Sequence, residues 1–272
     1  MKCCPQCNLN YDDKINFCSK DGTRLVAANA EPVHTAPIQA QAPPNFPQGA
    51  PQPQVQLPQP STLLYLFADR VVQKDSILTG GTPVPCKEIK VATNSLAVTQ
   101  FAFAFWSLRD QGVIGLAIGP KKGLIFKKTP VLVRQLRPAG SGGLEGEILR
   151  MLSSMPPDAS VRDIIYQWFG SDSSWPHKIV ISWAAGEAIA LGLGTKGEGG
   201  IKSAIKGMFS GKIDFVPNCS QIAPLEPHAN QLFARWQQFQ ANEAALYQTL
   251  IAECKSAIDS RVERQNTSAG FD

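Results

Sequence analysis

A stretch of chain with almost nothing to bury sets the architecture of this sequence. From Val26 to Pro60 the residues are mainly Pro, Gln and Ala, with little charge, no apolar periodicity and a proline every few positions. Such a segment cannot bury enough apolar surface to offset the entropy of ordering, so an extended, polyproline-biased tether is predicted here. At ~3.1 Å per residue it would reach on the order of 100 Å. Its PxxP-like spacing also fits an SH3-type ligand, although a plain linker is the preferred reading. The 272-residue chain therefore divides into residues 1–25, the linker at 26–60 and an ordered domain over 61–266.

About 210 residues are left for that domain, enough to build a core without staples. Hydrophobic residues make up 43% of the chain and charged ones only 18%, a globular profile whose polar surface falls largely to Gln, Asn, Ser and Thr. The net charge of +4 is too small to declare a nucleic-acid or membrane partner, so the clustering of charge has to decide. Cys3, Cys4, Cys7 and Cys18 crowd together, whereas Cys86, Cys219 and Cys254 are scattered singly. That distribution predicts metal binding rather than disulfides. The start, Met-Lys-Cys-Cys-Pro, lacks the apolar region of a secretory signal, and no later segment is apolar for long enough to span a membrane. The expected address is cytoplasmic.

Cys4-Pro5-Gln6-Cys7, ten residues and then Cys18-Ser19-Lys20-Asp21-Gly22 place two tight turns at a separation that lets them face one ion. Thiolates at tetrahedral angles suit Zn²⁺, and Gly22 permits the turn to exit. Asp21 is the expected fourth ligand, a carboxylate that binds zinc at ~2.0–2.2 Å. Cys3 is the alternative fourth ligand, although strand geometry aims it away from Cys4, and an empty degenerate site is a third reading. With four ligands the shell is closed to substrate, so the zinc would be structural, and a module this small owes its fold to the ion. At these residues the segment resembles the short bacterial zinc ribbons of the form CPxC…FCxxxG, with Tyr11 and Phe17 as a minimal core, over about a tenth of the chain. Ribbons of that type dock protein or nucleic acid.

Beyond the linker, Ser61 and Thr62 are placed to cap a helix over Leu63–Val72. Thr93 or Asn94 is placed to cap another through Leu96, Phe101, Phe105 and Leu108 that stops at Gly112. Val113–Ile118, a turn at 119–123 and Leu124–Lys128 read as a β-hairpin, with Val131–Leu136 as a third strand. Helices follow over Glu145–Ser153, Ser160–Phe169 and Ser174–Leu191, with Asp158 and Ser160 offering caps. After the Gly-rich segment 192–200 come a short helix at Ile201–Phe209 and short strands around Lys212–Val216 and Cys219–Ala223. A long helix over 227–264 then places Leu232, Trp236, Phe239, Leu246, Leu250, Cys254 and Ala257 on one apolar stripe, expected to pack back on its own domain. The predicted fold class is α+β: a small zinc ribbon, a linker, and a mostly helical domain with β-hairpins. Within it, residues 61–138 and 144–226 form two winged-helix-like halves, followed by the C-terminal helix.

Between Gln111 and Gly143 lie Lys121, Lys122, Lys127, Lys128, Arg134 and Arg137, with no Asp or Glu. These residues could lie on phosphate, whether of nucleic acid or of a lipid headgroup, or serve only as edge charges that block strand pairing. Sequence-specific DNA reading is disfavoured, because Phe101-Ala102-Phe103-Ala104-Phe105-Trp106 lacks the Arg, Asn or Gln that base edges require. Gly192 to Ser203 resembles a phosphate loop only superficially, since Ile201 interrupts the needed Gly-Lys-Ser order. His34 falls in the linker, and His177 and His228 fall in first turns of helices, so no nucleophile acquires a base and an orienting group.

The run Phe105-Trp106-Ser107-Leu108-Arg109-Asp110-Gln111-Gly112-Val113-Ile114, a hairpin, Leu144–Leu152 and then Ser160-Val161-Arg162-Asp163-Ile164-Ile165 is similar to the Golgi phosphoprotein 3-like family, over about 105–200. The resemblance implies a helix, hairpin, helix order and a basic surface for phosphoinositide headgroups. Together these readings predict a non-enzymatic, zinc-binding adaptor or interaction protein with a protein partner. A nucleic-acid-associated regulator using the basic hairpin 119–137 is the alternative, and peripheral binding to anionic lipid headgroups is the second alternative. Solvent-exposed aromatics among Phe101, Phe105 and Trp106 would mark the adaptor.

Overall fold

The computed structural model describes residues 2–3, 10–11, 26–27, 57–74, 81–120, 129–170, 176–197 and 215–268, with the side chains of the last helix as far as residue 260. The chain divides into two units, Met1–Pro53 and Gln54–Asp272. In the first, β1 (Lys2–Cys3), β2 (Asn10–Tyr11) and β3 (Val26–Ala27) form an antiparallel sheet in the order β2-β1-β3. Lys2 lies opposite Tyr11 on one side and Ala27 on the other. The ladder between β1 and β3 thus carries regular structure two residues past the expected boundary at residue 25.

The second unit is a mostly helical α+β domain built around α2 (Thr93–Asp110), in which Gln100 through Leu108 are buried without interruption. A helix that is apolar all round has to be enclosed. The helices α1 (Pro60–Leu66), α3 (Gly143–Ser153), α5 (Pro176–Ala190) and α8 (Ala244–Ser268) pack against it. Phe101 meets Trp168 and Phe169 of α4 (Val161–Phe169) edge-on at 5.4 and 5.7 Å between ring centres. Phe103 meets Phe233 and Trp236 of α7 (Glu226–Asn242) at 5.9 and 5.1 Å. Edge-to-face pairs of this kind add to the area they bury. Among the described residues no helix is long and apolar enough to cross a membrane.

Element boundaries differ from expectation in ways the contacts explain. Helix α1 begins at Pro60 after Gln59 and ends at Leu66, followed by a 3-10 turn at Ala68–Arg70, so Ser61 and Thr62 lie inside it and are not caps. Helix α2 follows Ala92 with no side-chain cap, but it does stop at Gly112, whose φ of 68° is open to glycine. Ser160 caps α4 as expected, accepting from the Asp163 amide at 3.1 Å. The other expected cap, Asp158, instead faces Arg134.

The strand β6 (Ile114–Ile118) pairs antiparallel with β7 (Val131–Gln135), the expected third strand, in the register Ile118↔Val131. Leu124–Lys128, its expected partner, lies outside the described residues. The observed register sets Ile114, Leu116, Val131 and Val133 on one buried face, which a one-residue slip would turn to solvent. β8 (Ala159–Ser160) completes this sheet in the order β6-β7-β8. It joins the two expected halves of the domain, and one core extends from Leu63 to Ile258 across both.

Two smaller pairings follow the same antiparallel rule: β4 (Thr82–Pro83) with β5 (Lys90–Val91), and β9 (Gly194–Lys196) with β10 (Phe215–Pro217). The expected strand at Cys219–Ala223 is instead the helical turn α6 (Cys219–Ile222), followed by a 3-10 turn. The Asn218 carbonyl accepts from both Gln221 and Ile222, which winds the chain there. The expected short helix at Ile201–Phe209 lies outside the described residues. The long C-terminal helix is two helices, α7 and α8, broken at Glu243 with φ −126° and ψ 45°. Its apolar stripe is buried on the domain as predicted, from Leu232 to Ala257. Finally, Cys86 and Cys219, expected to stand singly, form a disulfide with Cα atoms 5.6 Å apart across a separation of 133 residues.

Candidate functional site

The expected zinc ligands Cys4, Cys7, Cys18 and Asp21 lie outside the described residues, and Cys3 is the second residue of β1. Among the described residues no group of three or more His, Cys, Asp and Glu could hold a metal ion. Three thiolates and a carboxylate remain a donor set whose chemistry suits zinc.

Of the basic residues, Lys121, Lys122, Lys127 and Lys128 also lie outside the described residues. Arg134 grips Asp158 through two bonds of 2.9 and 2.8 Å, and the bond and charge of Asp158 hold its guanidinium above the usual arginine range. Arg137 donates to the Gln111 carbonyl at 2.5 Å. The acid that offsets Arg134 comes from outside the acid-free stretch, so sequence distance concealed it. Phe101, Phe105 and Trp106 are all buried in the core, so α2 offers neither a groove-reading face nor the exposed aromatics expected of an adaptor. His177 does fall in the first turn of α5 and His228 in that of α7. Burial and the neighbouring Lys178 push the His177 imidazole below its ordinary range.

A polar node that sequence reading missed sits at the start of α1. Glu145 on α3, 0% exposed, accepts from the Ser61 amide at 2.8 Å and from the Ser61 hydroxyl at 2.7 Å. The Ser107 hydroxyl adds a longer bond of 3.4 Å. Glu187 on α5 accepts from the Gln59 amide at 3.1 Å and from the Thr62 hydroxyl at 2.6 Å. Gly143, with φ 58°, closes the node, because a β-carbon there would collide with the Glu187 carboxylate. The two carboxylates thereby satisfy amides at the start of α1 that have no intrahelical partner. Burial pushes the Glu145 carboxyl up to about 7, helped by the charge of Glu187 and opposed by the bonds from Ser61. With no solvent access, Glu145 positions α1 and reaches no substrate. The signal in the sequence was an acid in an apolar stripe, since Glu145 shares its helix face with Ile148, Leu149 and Leu152.

A cleft of about 350 Å³ opens between the end of α2 and the α7–α8 break. Arg109 binds both oxygens of Glu243 at 2.8 and 2.9 Å while lying 5.5 Å over the Phe239 ring, and Arg235 pairs with Asp110 at 2.6 Å. Each guanidinium is matched by a carboxylate, so the cleft carries no net field for an anion. It explains the helix break, because Arg109 holds Glu243 at the position where the backbone turns. Elsewhere in the domain, α5 leaves Trp183 41% exposed, its ring centre 6.1 Å from that of half-buried Trp168.

Comparison of the chain with protein-family models, with curated proteins and with solved structures gives no match.

Proposed function

We propose that this chain is a non-enzymatic adaptor in which a zinc-binding module at residues 1–25, carried on the Pro/Gln-rich linker, engages one macromolecule while the α+β domain engages a protein partner. The observation that carries the reading is Trp183, an exposed indole on a helix whose apolar residues run all round it. Tryptophan is enriched where protein surfaces bind tightly, and Trp168 beside it enlarges the aromatic surface. Structural Zn²⁺ held by Cys4, Cys7, Cys18 and Asp21, with Cys3 as the alternative fourth ligand, belongs to the same proposal. So do a cytoplasmic address and the winged-helix-like description of the helix-then-hairpin order α2-β6-β7.

The readings on nucleic acid and on anionic lipid headgroups stand behind it. They rest on Lys121, Lys122, Lys127 and Lys128, because Arg134 is already engaged by Asp158. Quantitative affinity purification tests the adaptor with three proteins: the full chain, its Trp183→Ala variant and a form lacking residues 1–53, which leaves Gln59 and α1 intact. Two separable sets of partners are expected, one lost with Trp183 and the other with the N-terminal segment. An unchanged profile in both would overturn the reading. Nucleic-acid binding that falls steeply with salt and disappears on Lys121→Glu with Lys122→Glu would establish the first alternative instead. Zinc is read by elemental analysis, with stoichiometric metal expected in the full chain and its loss on Cys7→Ser.

A further inference from the structure

We propose that Cys86 and Cys219 form a thiol–disulfide exchange site, a covalent clamp that a thiol of the glutathione class opens and the corresponding disulfide closes. The backbone at Cys86 argues for it first. Val84-Pro85-Cys86-Lys87 is a turn closed by the Lys87 amide donating to the Val84 carbonyl at 3.2 Å, with Cys86 at φ 61°. A turn with proline second and a left-handed residue third favours glycine or asparagine at that third position, where a β-carbon is strained. The turn therefore does not explain a cysteine there, whereas the bond to Cys219 does.

Accessibility is the second argument. Both cysteines are exposed, and each sits on a marginal element: Cys86 between two-residue strands β4 and β5, Cys219 at the head of the four-residue α6. Each side keeps its own anchor when the bond opens. Lys87 is paired with Asp69 at 2.6 Å, and the Asn218 amide donates to the Leu193 carbonyl at 2.8 Å. Cys254, by contrast, is 0% exposed in the core, and burial pushes its thiol well above the usual range. Exchange needs an accessible thiolate, so within the domain it is confined to the exposed pair.

The chemistry balances with glutathione alone. A glutathione thiolate attacks one sulfur of the pair, forming a mixed disulfide and releasing the other cysteine as a thiolate that takes up a proton. A second glutathione thiolate attacks the glutathione sulfur of the mixed disulfide and releases the remaining cysteine, which is protonated in turn. Two electrons pass from two glutathiones to the protein, leaving one oxidised glutathione and two cysteine thiols. Closure runs the same steps in reverse.

The full chain is equilibrated in buffers spanning reduced to oxidised glutathione, quenched with acid, alkylated and read peptide by peptide by mass spectrometry. The Cys86 and Cys219 peptides are expected to titrate together between dithiol and disulfide, with Cys254 recovered as the alkylated free thiol throughout. At short labelling times, hydrogen exchange in the reduced form should quicken about tenfold or more over residues 81–91 and 215–225, while α2 and α4, which exchange only when the whole domain unfolds, stay protected. The Cys86→Ser/Cys219→Ser variant should show the open exchange pattern in every buffer. A pair that stays oxidised, or stays reduced, at all glutathione ratios would overturn the proposal. So would reduction that leaves exchange unchanged or unfolds the whole domain.

Discussion

Glu145→Gln separates the burial of a carboxylate from the hydrogen bonds it makes, and its effect on stability can be worked out with sign. Glutamine retains an acceptor for the Ser61 amide, and its own amide can donate to the Ser61 hydroxyl, which rotates to suit. In the unfolded chain Glu145 titrates near 4.5, whereas in the fold burial raises it to about 7. Between those values the folded protein holds a proton that the unfolded chain has released. The stability contributed by the neutral acid is therefore complete below pH 4.5 and lost as pH rises through 7. The interval from 4.5 to about 7, at ~1.4 kcal/mol per tenfold change in proton affinity, amounts to about 3 kcal/mol. Glutamine does not titrate, so the variant should match the wild type near pH 5 and exceed it by about 2–3 kcal/mol at pH 8. In a domain of this size that is a gain of roughly 5–10 °C in Tm. Urea unfolding of both proteins from pH 5 to pH 8 measures it, because the difference between them cancels the other titrating groups. A difference that stays constant with pH, or a variant that loses ground at alkaline pH, would show that the Ser61 bonds hold a charged carboxylate and would refute the reasoning.

The remaining predictions concern the covalent clamp, the core and the node. Cys86→Ser/Cys219→Ser releases a loop of 133 residues, and chain entropy puts its cost at about 5 kcal/mol, or a fall in Tm on the order of 10 °C by calorimetry. Phe103→Ala, at a fully buried ring in contact with Trp106, Phe233 and Trp236, should cost about 3–5 kcal/mol in chemical denaturation. Gly143→Ala combines a left-handed backbone with a collision against Glu187 and should cost about 1–3 kcal/mol, visible as quickened hydrogen exchange at the start of α1.

Apolar runs of helical length between cap and stop residues were enough to locate α2, α4 and α5, and periodicity was enough to predict that the stripe from Leu232 to Ala257 packs on its own domain, because a side chain's place on a helix face depends only on its near neighbours. The Gly112 stop and the Ser160 cap were readable for the same reason: each is complete within a few residues. The register of β6 against Val131–Gln135 was not, since only burial against the helices selects it. Nor was the break at Glu243, which contains no glycine or proline and follows from the grip of Arg109, a residue of another helix.

At the candidate sites the division is the same. The proposed metal chemistry near the N-terminus rests on sequence alone, because Cys4, Cys7 and Cys18 fall in two short stretches of the chain. Glu145 looked like a helix-start acid, and three elements had to converge before it became the buried anchor of α1. Arg134 looked free until Asp158 was folded beside it, and Cys86 looked solitary until the chain brought Cys219 within bonding distance. Composition and spacing alone determined α2, α4, α5 and the burial of the stripe from Leu232 to Ala257. Strand partners, the broken helix, the covalent link and the protonation of a buried acid were decided by tertiary structure, since each depends on which distant residue removes water from the other.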